Sequence, residues 1–301
     1  MITLEFKSLM TKFQKITQTN PFNEVWELSI GSNIEIFIKK KKKRKKYQIN
    51  NIDLSPVFYR NSHFFIKNYK KSIKKTPLNK YVRNEIYVGN NITISFGYGE
   101  KETKLSKLIE TSSLTAKNCY SLLLLSIDVL NTQKLTHHIY DDKIKIRNKN
   151  ILDAKFELQI LNPLLYNFSE STTKKFISDI GNPEYLCHGD LQPKNLFLSK
   201  ENELRVIDFE ECFWGHHGWD IGFLWGNIFA HSLNNANHKL LLMNYDELIS
   251  KIDVKSKFNV IIFTISTLLM RKFDFPFKLD NIMYKEEIDN TINHLIEKII
   301  L

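Results

Sequence analysis

The sequence predicts an α+β protein with a small β-rich N-terminal lobe and a larger, mostly helical C-terminal lobe. Three observations carry this reading. Apolar and polar residues alternate through much of the first hundred positions. From about Leu105, long Leu- and Ile-rich segments nearly free of Gly and Pro take over. One short strand-turn-strand island, Glu184 to Glu211, interrupts the helical part. The 301 residues are enough for two lobes that each bury a core, and 43% hydrophobic, 25% charged and 12% aromatic content argues against disorder. The lobes are set at residues 1–104 and 105–301, with a ligand cleft between them.

In the N-terminal part, Glu24 to Lys46 alternates around Gly31-Ser32-Asn33, which predicts two strands joined by a turn. "PVFYR" and "HFFIKNYK", flanking Asn61-Ser62, predict a second strand pair, and "ITISFGYG" from Ile92 to Gly99 a further strand. Between them, "LNKYVRNEIYVG" carries Leu78, Val82 and Ile86 at helical spacing and stops at Gly89, which predicts one helix within this lobe. Downstream, "KNCYSLLLLSIDVLNTQKLTHHI", "DAKFELQILNPLLYNF", "NYDELISKI", "FNVIIFTISTLLMRKF" and "EEIDNTINHLIEKIIL" read as helices.

Composition narrows the function classes. The net charge is +10, from 43 Lys and Arg against 33 Asp and Glu, and the run Lys39 to Lys46 contributes 8 of it. The basicity is therefore local, and no specific nucleic-acid partner is expected. The run reads as a solvated hairpin end, with contact to anionic surfaces as the alternative. Cys119, Cys187 and Cys212 lack paired spacing and read as buried, reduced thiols of a cytoplasmic protein. The opening "MITLEFKSLMTKFQ" has no uninterrupted apolar region of a secretory signal. Phe258 to Met270, broken by Asn259, Thr264, Ser266 and Thr267, is too short and polar to span a bilayer, so no transmembrane segment is expected.

The island concentrates the chemistry. In "YLCHGDLQPKNLFL" followed by "VIDFE", short apolar strands bracket Asp190, Asn195, Asp208 and Glu210, so that these polar groups project from the ends of a small anchored sheet. Two carboxylates and a carboxamide are hard oxygen ligands with no sulfur. They suit Mg²⁺ bound together with substrate phosphates, and disfavour zinc. Asp190 is then free to accept a proton from an attacking hydroxyl, as in phosphoryl transfer. Polar loop residues that only satisfy turn hydrogen bonds are the bland alternative.

His188-Gly189-Asp190-Leu191 with Asn195, then Ile207-Asp208-Phe209-Glu210, and later Gly218-Trp219-Asp220-Ile221-Gly222, resembles the signature of the aminoglycoside phosphotransferase and choline kinase superfamily. The match is specific from Tyr185 to Gly222 and architectural elsewhere. It implies a two-lobed protein-kinase-like fold and an enzyme that uses ATP and Mg²⁺. It implies that Asp190 orients and deprotonates the acceptor hydroxyl, that Asn195 and Asp208 hold Mg²⁺ with Glu210 in support, and that His188 and Asp220 brace the site. The resemblance also asks for a cation on the nucleotide phosphates paired with an acid. Lys67, at the end of a predicted strand, and Glu85, on the predicted helix, fit that order. Gly31 and Ser32 mark the nucleotide-covering loop, although no glycine-rich run is present.

The fold does not name the acceptor. Glu211, Trp214 and Trp219, with Trp225, form a composition that holds a cationic acceptor, with core packing as the alternative role of the tryptophans. The expected acceptor is a small-molecule alcohol, with an amino alcohol, aminosugar or aminoglycoside ahead of a sugar of the methylthioribose type. A non-catalytic nucleotide-binding module of the same fold is the alternative class. A protein kinase is disfavoured because Gly189 stands where an Arg would, and because Asp208 to Trp219 leaves little room for an activation segment.

Overall fold

The computed structural model describes residues 14–15, 23–30, 34–41, 48–49, 52–53, 63–82, 85–88, 92–97, 102–136, 152–153, 155–233, 235–272 and 285–300. Strands β1 (Gln14–Lys15), β2 (Asn23–Ile30), β3 (Ile34–Lys41), β6 (Glu85–Val88) and β7 (Ile92–Gly97) form one antiparallel sheet in the order β1-β2-β3-β7-β6. The predicted hairpin of Glu24 to Lys46 is β2 paired with β3. Gly31 and Ser32 lie outside the described residues, as does the part of the lysine run beyond Lys41. A two-stranded ladder of β4 (Gln48–Ile49) and β5 (Ile52–Asp53) follows.

Two predicted elements exchange character. "HFFIKNYK" is the start of helix α1 (His63–Ile73) and not a strand, because Ile66, Tyr69 and Ile73 bury at i, i+3 and i+7. The partner strand expected at "PVFYR" lies outside the described residues. The helix expected over Leu78–Gly89 is instead a 3₁₀ turn at Pro77–Tyr81 followed by β6. Val88 pairs with Ile92, so β6 and β7 are antiparallel neighbours; Gly89, read as the helix stop, lies outside the described residues. Lys67 therefore lies on a helix and Glu85 on a strand, the reverse of the expectation.

The helical part comprises α2 (Leu105–Glu110), α3 (Ala116–Thr136), α4 (Asn162–Asn167), α5 (Glu170–Ile180), α6 (Trp219–Ser232), α7 (His238–Lys251), α8 (Val254–Lys272) and α9 (Lys285–Ile300). Strands β10 (Leu196–Ser199) and β11 (Leu204–Val206) form a hairpin that also pairs with β8 (Glu102–Lys104). Glu102–Lys104 is thus tied to the C-terminal lobe, although the composition changes only at Leu105. A further ladder joins β9 (Tyr185–Cys187) to β12 (Phe213–Gly215).

The core centres on α6 and α8. A Cβ on Gly222 would lie 2.2 Å from the Phe263 Cβ, so only glycine lets these helices approach so closely. Trp219, Trp225, Phe229, Tyr245 and Phe263 fill the space around them. All three cysteines are free and buried; burial pushes the Cys119 thiol up to about 11 and the Cys187 thiol well above its ordinary value. Among the described residues no helix is long and apolar enough to cross a membrane.

Candidate active site

The loop between β9 and β10 carries Asp190. Its carboxylate is held at both oxygens: the Gln192 side-chain amide donates to Oδ1, and Asn195 Nδ2 donates to Oδ2 at 2.8 Å and to the Asp190 carbonyl at 2.8 Å. Lys194 Nζ stands 3.9 Å from Oδ2. The carboxylate keeps 16% exposure, so it is anchored yet open to an incoming group. Each carboxylate oxygen has a second acceptor position beyond the one occupied. The Asn195 nitrogen donates to Asp190, and its carbonyl oxygen is the side chain's acceptor atom.

His188 and Asp220 brace this loop. Asp220, at the first turn of α6 and buried, accepts the backbone N–H of His188 at 2.7 Å and of Gly189 at 2.9 Å. Burial raises its carboxyl above the usual carboxylate range, while these N–H groups and the Lys155 charge act in the opposite direction. The Asp190 N–H meets His188 Nδ1 at 3.3 Å, which leaves Nε2 to carry the ring proton and donate to the Ile207 carbonyl at 3.0 Å. His188 thereby spans from the Asp190 loop to the strand end that bears Asp208.

Asp208 itself has φ 67° and ψ 58°, a left-handed conformation uncommon for a residue with a side chain, at the entrance to the 3₁₀ turn Phe209–Glu211. The Ile207 N–H donates to the Asn195 carbonyl at 3.1 Å, so the Asn195 and Asp208 segments are tied directly. Glu210 is buried at 5% exposure. Among the described residues no three His, Cys, Asp or Glu side chains are grouped to hold a metal ion.

From the N-terminal lobe, Lys70 on α1 forms an ion pair with Glu85 on β6 at 2.7 Å and lies 4.9 Å above the Phe209 ring. Tyr69 packs on the same ring with centroids 5.4 Å apart. Glu85 thus has a lysine partner, but it is Lys70 and not Lys67, whose side chain lies outside the described residues. The predicted acceptor group disperses. Glu211 pairs with Lys155 at 2.7 Å, Trp214 is buried, and Trp219 is enclosed by Phe213, Phe156 and Phe263.

Sequence reasoning passed over two residues. Gln133, late in α3, accepts the Gly218 N–H at 2.9 Å and reaches Asp220 Oδ2 with its amide at 3.3 Å. Lys155 is buried beneath the loop. A polar residue on the apolar face of α3 was the available sign of the first; the second had no local sign. A cavity of about 190 Å³ bordered by Lys134, Tyr185, His217, Asp253 and Lys255 contains none of the signature carboxylates.

The choline/ethanolamine kinase family model matches residues 110–258. A methylthioribose kinase of Bacillus pumilus is 43% identical over 54 residues, 18% of this chain and 13% of the relative. Ethanolamine kinase 1 of Mus musculus is 31% identical over 72 residues, 24% of this chain and 20% of the relative. The matching segments thus span only a fifth or less of these relatives' length. Among solved structures, a thermostable mutant of aminoglycoside phosphotransferase APH(4)-Ia, in a complex with ADP and hygromycin B, shares the fold with a TM-score of 0.50 at 9% identity, covering 97% of each chain. The family match over residues 110–258, together with the His188 to Gly222 signature, makes the chain similar to the choline/ethanolamine kinases, and its fold is the two-lobed protein-kinase-like fold shared with the aminoglycoside phosphotransferase structure.

Proposed function

We propose that the protein is a small-molecule kinase that transfers the γ-phosphoryl group of ATP to an alcohol, within a cytoplasmic compartment, with residues 1–104 as the nucleotide lobe and 105–301 as the catalytic lobe. One observation carries the reading: Asp190 is fixed at both carboxylate oxygens by the Gln192 and Asn195 amides while remaining partly exposed. A carboxylate held in that way is oriented to take the proton of a bound hydroxyl as its oxygen attacks phosphorus. Asn195 Oδ1 and the Asp208 carboxylate are the oxygens that would hold Mg²⁺, with Glu210 supporting; a set with so few protein ligands fits an ion that keeps waters and phosphate oxygens. Mg²⁺, when bound, neutralises charge on the transferring phosphates. The Lys70–Glu85 pair, against Phe209, is the counterpart of the cation and acid first sought at Lys67 and Glu85.

The acceptor is an amino alcohol, aminosugar or aminoglycoside, or a sugar hydroxyl. The engagement of Glu211 by Lys155 and the enclosure of Trp219 remove two groups suited to a cationic acceptor, which favours the sugar. The resemblance to a methylthioribose kinase over 54 residues supports the same choice.

Acceptor-stimulated ADP release by wild type and Asp190→Ala, with Mg²⁺ and a panel of amino alcohols, aminoglycosides and pentose derivatives, tests the proposal. Wild type is expected to respond to one acceptor class and the variant to lose at least about a hundredfold in turnover. Equal turnover by the two proteins would remove Asp190 from the chemistry.

A further inference from the structure

A fully buried lysine has no part in the reaction as derived so far. Lys155 Nζ donates to Glu211 Oε2 at 2.7 Å and to the Gly189 carbonyl at 3.1 Å, and lies 5.3 Å from the centre of the Phe213 ring. Removing an ammonium from water is costly, and a buried ion pair is often matched or bettered in stability by apolar residues of the same volume. Stability alone therefore gives little reason for a charge at this position.

The position of its second acceptor gives a better one. The Gly189 carbonyl belongs to the peptide that joins Gly189 to Asp190. The preceding peptide is held by its N–H, which donates to Asp220 Oδ1. Two successive peptide planes are thus gripped, one by an anion on α6 and the other by a cation from the segment before α4. Between them lies Gly189, with φ +83°, a residue whose backbone is otherwise the freest in the chain.

We infer that Lys155 is a positioning residue for Asp190: it fixes the Gly189–Asp190 peptide so that the carboxylate faces the acceptor hydroxyl, and Glu211 holds the ammonium in place. Lys155 touches neither substrate nor nucleotide in this role. The inference rests on the kinase reading above. It also explains why Glu211, placed by the sequence among acceptor groups, is turned to the loop.

The test compares wild type with the double variant Lys155→Met/Glu211→Gln, which removes both charges together, and with Lys155→Arg, which keeps the cation. The double variant is expected to unfold cooperatively and to lose about 30- to 100-fold in kcat, the scale of a misplaced catalytic group, with the KM for nucleotide within about twofold. The Gly189 and Asp190 amides should exchange hydrogen at least about tenfold faster, with α6 and α8 unchanged. Lys155→Arg should retain at least about a third of wild-type kcat. A kcat within about threefold of wild type in the double variant, a nucleotide KM that worsens in step with kcat, absence of rescue by arginine, or failure of the double variant to fold would each overturn the assignment. If wild type itself releases no ADP above background with any acceptor, the kinase reading fails, and hydrogen exchange alone decides the clamp: faster exchange confined to residues 187–192 retains it, and unchanged exchange removes it.

Discussion

Gly189 shows how little latitude the Asp190 loop has. Its φ of +83° is open to glycine at small cost, and a Cβ there would lie 2.0 Å from the Glu211 carbonyl oxygen and 2.9 Å from the Phe213 ring. The nearest obstacle is backbone, which cannot swing aside. Gly189→Ala is therefore expected to lower stability by roughly 2–5 kcal/mol, from combined backbone strain and overpacking, and to abolish turnover. Urea midpoints with an unchanged slope would report the first effect; a midpoint equal to wild type would show that the loop yields where the geometry says it is rigid. Asp208 presents the milder case of a left-handed residue with a side chain, kept in place through Ile207, whose N–H donates to the Asn195 carbonyl and whose carbonyl accepts from His188 Nε2.

At the scale of elements, the outcome separates local from distant information. The Asp190 loop was legible because its determinants lie close in sequence: Gln192 and Asn195 reach Asp190 from two and five positions away. Lys155 and Gln133 were not legible, since the first meets Gly189 across 34 residues and the second meets Asp220 across 87. No window of sequence contains such a pairing. The exchange of helix and strand around α1 and β6 has a different cause. "HFFIKNY" is a short apolar run, and periodicity alone does not separate a buried strand from a helix at that length. Leu78, Val82 and Ile86 match a helical spacing by coincidence, whereas Pro77 and the Gly89-Asn90-Asn91 sequence between β6 and β7 were the stronger signals. In the helical lobe the long apolar segments left no such ambiguity, and α3, α8 and α9 fall where the pattern put them.

For the molecule as a whole, pH sets the stability through two buried histidines. Burial lowers His216 and His217 from an ordinary value of 6.5 to about 4, and each keeps only carbonyl or hydroxyl partners: Gly181 for the first, Leu130 and Ser256 for the second. Between about pH 4 and 6.5 the unfolded chain binds these protons and the folded chain does not, so stability rises with pH through that window and is lost as pH falls. At about 1.4 kcal/mol per pH unit of displacement, the loss is on the order of 3–4 kcal/mol for each histidine once the pH is below both values. The Asp220 carboxyl, raised by burial, acts in the opposite sense, since the folded state then binds the extra proton. His217→Gln isolates the histidine contribution: its urea stability should fall less than that of wild type between about pH 7 and pH 4.5, and parallel curves would refute the assignment.

The same burial gives the chain a clock of its own. Thiols react as exposed thiolates, and here Cys119, Cys187 and Cys212 are all closed off, the first two also held in the protonated form. A maleimide added to the folded protein should find nothing to alkylate. Each modified sulfur then records one opening of the surrounding structure, and the mass shift counts how many of the three sites opened together. Cys187 begins the very segment that carries Asp190, so its labelling time is the time for which that loop stays assembled.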